Sequence, residues 1–404
     1  MGRIATSSLS LVTAPIIANV IGTEGRGYTA AALAAIQIAA VLVAMGIPLA
    51  IRRRAVITDD LPSLVKTARR FAWFTIIPAL LIAMVVLSTL LASMSFGDKV
   101  AFVVSMCVCP LTVSWVIDTN VLVSERRFFR ILCLGSIQTI TYFVAIVLLW
   151  SIGQLHVGTV LWAFSLGTIA AFVLGRIWVP SAGGKAKGLK DLIGEGTKLW
   201  GGQAAEIASY RLDQLLVLPI IGASATGIYS VAVTIGSLPM TIAIGLGASV
   251  FASFVKTNDR GTVALAIRFS LVLAISASAT LAVLSVWMIP LLFGEAFASA
   301  VPVAFVSLVG SIFIVGNYIC SMALSAQKRG GTMTVVQTTG LLIGIGLMYP
   351  FGLLWGPIGA AAASGVGFAV TFLASLYILR LWPWAVVPRP ADVVPAVRLF
   401  FRHD

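Results

Sequence analysis

The chain has 404 residues, of which 59% are hydrophobic and only 10% are charged, and its mean hydropathy is +1.05. This composition excludes an ordinary soluble domain and predicts a protein that crosses a membrane several times. The net charge of +13 would indicate nucleic acid as a partner of a soluble chain. Here the basic residues are sorted between loops, so we attribute the charge to membrane topology and to contact with anionic membrane lipids.

Apolar stretches long enough to cross a bilayer recur along the whole chain. A helix needs about 20 apolar residues to cross a hydrocarbon core of about 30 Å. The predicted fold class is therefore an all-α integral membrane protein with about twelve transmembrane helices, and the even number places both termini on one side. Twelve stretches are predicted, approximately at 4–22, 27–51, 71–95, 100–123, 131–151, 157–179, 199–221, 226–254, 268–292, 299–325, 332–352 and 357–381.

The loops on one side of the predicted membrane carry 24 of the 27 basic residues. The other side holds Arg26 and Lys99, and Arg211 remains inside a span. Cytoplasmic loops carry an excess of Lys and Arg, so this asymmetry predicts a multi-pass protein of the plasma (inner) membrane with both termini in the cytoplasm. The basic side includes Arg3, Arg52, Arg53, Arg54, Lys66, Arg69, Arg70, Arg126, Arg127, Arg130, Arg176, Lys185, Lys187, Lys190, Lys198, Lys256, Arg260, Arg268, Lys328 and Arg329.

The two halves of the chain resemble each other. Residues 21–31 read IGTEGRGYTAA and residues 221–232 read IGASATGIYSVA, so each copy joins two apolar stretches by a short turn. Such self-similarity indicates a duplicated transporter architecture. Because each half holds six spans, the two lobes are predicted to be related by a pseudo-two-fold axis along the membrane normal. The predicted lobes are 1–184 and 185–404, with a Gly- and Lys-rich linker at about 180–198.

The sequence offers little for metal or enzyme chemistry. The four cysteines fall in apolar spans, and the two histidines lie at an outer loop and beside the C-terminus, so neither a metal site nor another cofactor is expected. No Walker loop occurs, and no nucleophile–base pattern is seen. The prediction is a protein that is not an enzyme. A membrane glycosyl-transferring enzyme remains a less favoured alternative, since such enzymes usually need a large outer loop.

Three features together resemble a known family. They are the six-plus-six spans, the IG-x4-G turn with its following Tyr28 or Tyr229, and the segment WGPIGAAA at 355–362 that opens span twelve. The chain is similar to the polysaccharide-biosynthesis (O-antigen type oligosaccharide) flippases. These belong to the superfamily that also holds multidrug and toxin extrusion transporters and lipid II flippases.

The resemblance implies a flippase for cell-surface polysaccharide synthesis. Such a protein moves a polyprenyl-diphosphate-linked oligosaccharide from the cytoplasmic to the outer leaflet by alternating access, and a polysaccharide polymerase is an implied partner. The sugar-diphosphate head group would lose many hydrogen bonds in hydrocarbon, so it needs a polar cavity with at least one cation. The lipid tail can stay in the bilayer.

Charged residues inside spans are the candidate site residues, because charge at that depth is costly. Span seven carries Gln203, Glu206, Tyr210 and Asp213 at helical spacing, so they share one face. Arg211 lies at the edge of this stripe, about 20 Å from Lys198 along the helix. Arg211 is predicted to contact the diphosphate, held by Asp213 or Glu206. A structural ion pair and snorkelling towards the outer surface remain the alternatives.

The other candidates lie in spans four, five and ten. Asp118 could carry a coupling proton or cation, or could pair near the cytoplasmic mouth. Gln138 and Asn317 are candidates for sugar contacts, although polar residues in packed spans often bond a neighbouring helix. The spans hold three acids against one base, and buried acids suit a cation-coupled multidrug or small-solute exporter, which is the main alternative.

We predict that single cysteines at positions 53, 187 and 398 are protected from a membrane-impermeant thiol reagent added outside the cell. Positions 25 and 98 should react, because the charge asymmetry places them on the outer side. Labelling of intact cells measures this, with permeabilised cells as the control. Outside labelling at position 187 would contradict the two-lobe topology.

Overall fold

A computed structural model describes residues 2–55, 60–181, 188–241, 244, 260–327 and 329–387. Over these residues the chain is helical and forms no strands, and two short 3-10 turns lie at Glu295–Phe297 and Pro383–Val386. The helices are α1 Gly2–Ala44, α2 Ile47–Arg54, α3 Leu61–Phe74, α4 Ile76–Thr89, α5 Phe96–Cys107, α6 Cys109–Ser124, α7 Phe128–Ser151, α8 Val157–Trp178, α9 Leu189–Ile221, α10 Ala223–Gly236, α11 Arg260–Phe293, α12 Ala300–Ala326 and α13 Gly330–Ile378.

Breaks within the longest helices explain how the helices provide about twelve spans. Within the described residues, eight helical segments are long and apolar enough to cross a membrane. Helix α13 has 49 residues, which at 1.5 Å per residue would extend about 74 Å, more than twice the hydrocarbon thickness. Gly356 breaks it with φ 55° and ψ −134°, and Gly22 breaks α1 with φ 69° and ψ −175°. Each of these helices therefore supplies two spans, and the integral-membrane fold class is confirmed.

The internal repeat is visible in the backbone. Gly22 and Gly222 stand at equivalent places in the two copies, and Gly222 has φ 84° and ψ 169°, close to the values at Gly22. A positive φ is costly for a residue with a Cβ atom, so glycine is the residue that fits both turns. The two halves therefore share a local conformation as well as a sequence pattern.

The third span differs from its prediction. Helix α3 begins at Leu61, ten residues before the predicted start, because Asp60 caps it by accepting a hydrogen bond from the backbone N–H of Ser63 at 3.1 Å. Val65, Ala68 and Ala72 are buried along one face of this helix. The assignment of Arg69 to a cytoplasmic loop was therefore wrong, since its side chain is buried inside the first unit.

The chain forms two compact units, Met1–Pro219 and Ile220–Asp404. This division falls after the predicted linker, because the first half of α9 packs against the first unit. A Cβ atom on Gly196 would lie 2.6 Å from the carbonyl oxygen of Met45, so the two backbones touch. The indole N–H of Trp200 donates to the carbonyl of Leu42 at 3.0 Å. The predicted lobes 1–184 and 185–404 concern the two halves of the repeat and stay a prediction.

An ion pair at the C-terminal end of α2 reinforces this contact. Arg54 donates two hydrogen bonds to the carboxylate of Glu195, at 2.8 and 2.9 Å. These hydrogen bonds lower the pKa of Glu195 from its usual value. A bidentate guanidinium–carboxylate pair fixes orientation as well as distance. The pair therefore sets the register in which α9 lies against α2.

We predict that Gly196→Ala lowers the thermal stability of the detergent-purified protein. The added methyl group has no room against Met45, and overpacking of this kind costs about 1–3 kcal/mol. Gly194→Ala is the matched control, because Gly194 is exposed in the same helix with open space around it. The control should be neutral or slightly stabilising, since alanine favours a helix by up to about 1 kcal/mol. Equal melting temperatures for the two variants would contradict the close packing.

Candidate functional site

Five of the eight predicted site residues lie on one helix, α9. Asp213 is buried, whereas the side chains of Gln203, Glu206, Tyr210 and Arg211 are half-buried. The carboxylate of Asp213 accepts a hydrogen bond from the backbone N–H of Gln214 at 2.7 Å and attracts the charge of Arg211. The stripe combines one cation with two acids and two neutral polar groups.

Asp118 forms a buried ion pair with Arg69, a residue that the charge pattern had assigned to a loop. The two side chains are 0% and 5% exposed, and the guanidinium Nη2 and Nε atoms of Arg69 lie 2.8 and 3.0 Å from Asp118 Oδ1. Arg69 also donates to the carbonyl oxygen of Val179 at 2.8 Å. This one residue therefore ties α3 to α6 and to the end of α8. Pairing, the structural alternative for Asp118, is the arrangement that the structure contains.

The second carboxylate oxygen of Asp118, Oδ2, is buried in a confined space. Asp118 Oδ2 is buried without a hydrogen-bond partner. A Cβ atom at Gly175 would lie 2.7 Å from it, so glycine at this position of α8 leaves the room that the carboxylate occupies. Glycine is thus required here by the close approach of a charged side chain.

Gln138 and Asn317 each bond a neighbouring helix of their own unit. The amide Nε2 of Gln138 in α7 donates to the hydroxyl of Thr168 in α8 at 3.4 Å. Asn317 in α12 is buried, and its Oδ1 accepts from Ser375 in α13 at 3.0 Å. Both residues take part in the helix-to-helix bonds that are common in packed membrane spans. A sugar contact for either residue stays a prediction.

Arg26 is a polar group that the sequence analysis placed at an outer turn. The structure instead makes residues 23–44 one helical stretch of α1, and the side chain of Arg26 is half-buried, with its Nε sealed from solvent. Arg26 and Arg69 therefore lie within helices, as Arg211 does. The predicted excess of acids inside the spans stays a prediction.

Each unit also has a cavity at its short turns. In the first unit a cavity of about 560 Å³ is lined by Val20, Asp98, His156 and Trp162, among others. In the second unit a cavity of about 620 Å³ is lined by equivalent turns, including residues 221–225, Ser299, Pro302, Trp355 and Pro357. Neither cavity is lined by any of the eight candidate residues. In the part of the chain that the structure describes, no group of three His, Cys, Asp or Glu side chains could hold a metal ion.

The fold is shared with flippases and transporters of known structure. A lipid II flippase, MurJ, in an inward closed conformation matches 100% of this chain and 92% of its own, with TM-score 0.76 and 16% identity. An inward-facing multidrug resistance MATE transporter of the MOP superfamily matches 94% of this chain and 97% of its own, with TM-score 0.71 and 13% identity. At these identities the likeness defines the class of fold.

A third structure extends this likeness. It is a MOP superfamily transporter from Pyrococcus furiosus, described as having a binding pocket of reverse polarity that suggests a different function. It covers 99% of this chain and 95% of its own, with TM-score 0.62 and 10% identity. No curated protein sequence matches the chain.

The family follows from the sequence itself. The model of the polysaccharide biosynthesis protein family matches residues 1–258, more than half of the chain. The chain therefore belongs to the polysaccharide biosynthesis protein family, and it is a multi-pass membrane protein with the fold of MOP-superfamily flippases and transporters.

We predict that Asp118→Asn destabilises the protein by about 3–5 kcal/mol, because it leaves the buried charge of Arg69 unpaired. The double variant Arg69→Gln with Asp118→Asn should recover most of this loss, since no unpaired charge remains. Arg70→Gln is the control, as Arg70 is the exposed neighbour of Arg69. Denaturant unfolding in detergent measures all four proteins. A double variant no more stable than Asp118→Asn would contradict the ion pair.

Proposed function

We propose that this protein flips a polyprenyl-diphosphate-linked oligosaccharide from the cytoplasmic to the outer leaflet of the plasma membrane, for the synthesis of a cell-surface polysaccharide. The observation that carries the proposal is the membership of the polysaccharide biosynthesis family together with basic side chains inside the helices of the first unit. The protein would act as a transporter without enzymatic activity of its own, next to a polysaccharide polymerase that uses its product.

The chemistry of the substrate explains why buried bases matter. A diphosphate carries negative charge that hydrocarbon cannot solvate, and guanidinium groups match phosphate oxygens with paired N–H donors. The sugar hydroxyls require neutral hydrogen-bonding groups such as amides and phenols, which Gln203 and Tyr210 provide on the same helix as Arg211. The face of α9 thus combines the two kinds of group that a sugar diphosphate needs.

Arg211 is the proposed diphosphate contact of α9, with Asp213 as the acid that holds it in place. The attraction between these two charges fits this role, and it fits a purely structural pair as well. The two roles differ in the effect of replacing Arg211 by a neutral residue. Loss of a structural pair lowers the amount of folded protein, whereas loss of a substrate contact lowers export at a constant amount of protein.

A cation-coupled exporter of drugs or small solutes is the second candidate. It is favoured by Glu206, which is half-buried in the α9 stripe, because organic cations gain from buried carboxylates. Flippases and drug exporters share this fold, so the two candidate functions are distinguished by identifying the substrate. The test is to delete the gene and to measure surface polysaccharide, lipid-linked intermediates and susceptibility to cationic dyes. Loss of polysaccharide with intermediate accumulating inside supports the flippase, and unchanged polysaccharide with greater dye sensitivity supports the exporter.

We predict that Arg211→Ala abolishes polysaccharide export while protein level and membrane insertion stay near normal. Arg211→Lys should restore part of the export if charge alone matters, and little if phosphate needs a bidentate contact. Lys198→Ala, an exposed base on the same helix, is the control and should export normally. Complementation of the deletion strain measures export. Normal export by Arg211→Ala would leave the structural ion pair as the better account.

A further inference from the structure

The turn between α6 and α7 has an arginine at a position where glycine is the usual residue. Arg126 has φ 57°, in the left-handed region that is costly for a residue with a Cβ atom. Its backbone N–H donates to the carbonyl of Val123 at 3.1 Å, and the N–H of Arg127 donates to the carbonyl of Leu122 at 3.0 Å. These two bonds form a Schellman motif, whose left-handed position favours glycine. Arg126 is exposed there, and strain kept at an exposed charge indicates a role for that charge.

Bases from α7 and α8 meet beside this turn. Arg130 Cζ lies 5.8 Å from the centre of the Trp178 ring, and Arg176 Cζ lies 5.6 Å from the centre of the Phe172 ring. Contact with the face of a ring holds a guanidinium without using its N–H donors. The first of these contacts joins the start of α7 to the end of α8, and both arginines can still donate hydrogen bonds to an anion.

Exposed apolar side chains continue from these bases along both helices. Phe128 and Phe129, in the first turn of α7, are 70% and 76% exposed. Leu132 follows on α7, and Val173 and Ile177 are exposed on α8. A surface on which bases are followed by aromatic and aliphatic groups matches the border between lipid headgroups and acyl chains. This corner of the first unit lies on the predicted cytoplasmic side, where anionic lipids attract basic residues.

We propose that the corner formed by Arg126, Arg130 and Arg176 binds one anionic phospholipid of the surrounding leaflet. The lipid phosphate accepts hydrogen bonds from the guanidinium groups, whose N–H donors match phosphate oxygens in pairs. The acyl chains lie along the exposed faces of α7 and α8. Arg127 is bonded to Glu125 at 2.8 Å and is not assigned to the site. A zwitterionic lipid would bring its own cation to the arginines, so a headgroup with net negative charge is favoured.

A lipid at this corner would stabilise the first unit from the outside. It would connect the α6–α7 turn with the end of α8, and Arg69 connects α6 with the same end of α8 from the inside, through Asp118 and the carbonyl of Val179. A ligand that binds only the folded protein raises its melting temperature. The site therefore predicts stabilisation by anionic lipid, whichever substrate the protein carries.

Arg126→Gly tests the site with little risk of misfolding. Glycine adopts φ 57° without steric cost, so the delipidated variant in detergent should melt at the wild-type temperature or above it. Phosphatidylglycerol should raise the melting temperature of the wild type, and Arg126→Gly should need a higher lipid concentration for the same rise. A lower melting temperature of the delipidated variant would show that the arginine itself supports the fold, and it would overturn the proposal.

Binding is measured by native mass spectrometry of the full-length protein with phosphatidylglycerol, and with phosphatidylcholine for comparison. Arg126→Gly combined with Arg130→Gln should raise the half-saturating concentration of phosphatidylglycerol about thirtyfold, the effect expected when two bases beside an anionic lipid are removed. Arg126→Lys combined with Arg130→Lys should recover part of this loss. Equal affinity of the wild type for the two lipids would contradict the proposal.

The matched control is Arg52→Gln combined with Arg53→Gln. It removes the same charge from two exposed positions at the end of α2, on the same predicted side of the membrane. This control should bind phosphatidylglycerol as the wild type does. If the two double variants weaken binding equally, the total charge decides lipid binding and the proposed site is wrong.

Polyprenyl diphosphate distinguishes a membrane phospholipid from a lipid-linked substrate. At equal concentrations it should leave phosphatidylglycerol bound to the wild-type protein. If it displaces phosphatidylglycerol, and if its own binding is lost with Arg126→Gly and Arg130→Gln, the corner belongs to the substrate and the phospholipid proposal is overturned.

Discussion

A charge inside hydrocarbon has to be compensated, and this constraint shapes the interior of the first unit. Arg69 satisfies it within the chain, through a carboxylate 49 residues later and two backbone carbonyl groups of α8. That arrangement fixes three helices of the unit to one another. Asp213 lies two residues after Arg211 on the same helix, α9.

Helix contacts in the membrane depend on small residues. Lipid tails are as apolar as the side chains, so no hydrophobic effect drives the helices together, and close packing has to do so. Gly167 in α8 approaches the backbone of Gln138 in α7, where a Cβ atom would lie 2.6 Å from the carbonyl oxygen. Gly367 in α13 would meet the carbonyl of Gly340 at 2.8 Å in the same way. These glycines stand 200 residues apart, so the duplicated halves reuse one kind of close contact.

The family assignment and the interior charges answer different parts of the functional question. Family membership gives the setting, which is polysaccharide biosynthesis, while the shared fold is compatible with flippases and drug transporters alike. The interior charges concern the substrate. The α9 stripe places the base Arg211 on the same helix as the acids Glu206 and Asp213.

The sequence by itself determined the class of membrane protein, the approximate spans and the duplication. These follow from the length of apolar stretches and from glycine positions such as Gly22 and Gly222, which depend on local composition and backbone conformation. It also gave the α9 stripe, because residues on one helix keep a fixed spacing. Only the tertiary structure decided the fate of Arg26 and Arg69, which the sequence assigned to loops. Whether a base is exposed, paired or unpaired depends on helices far away in the sequence, and no local pattern records which of them will meet.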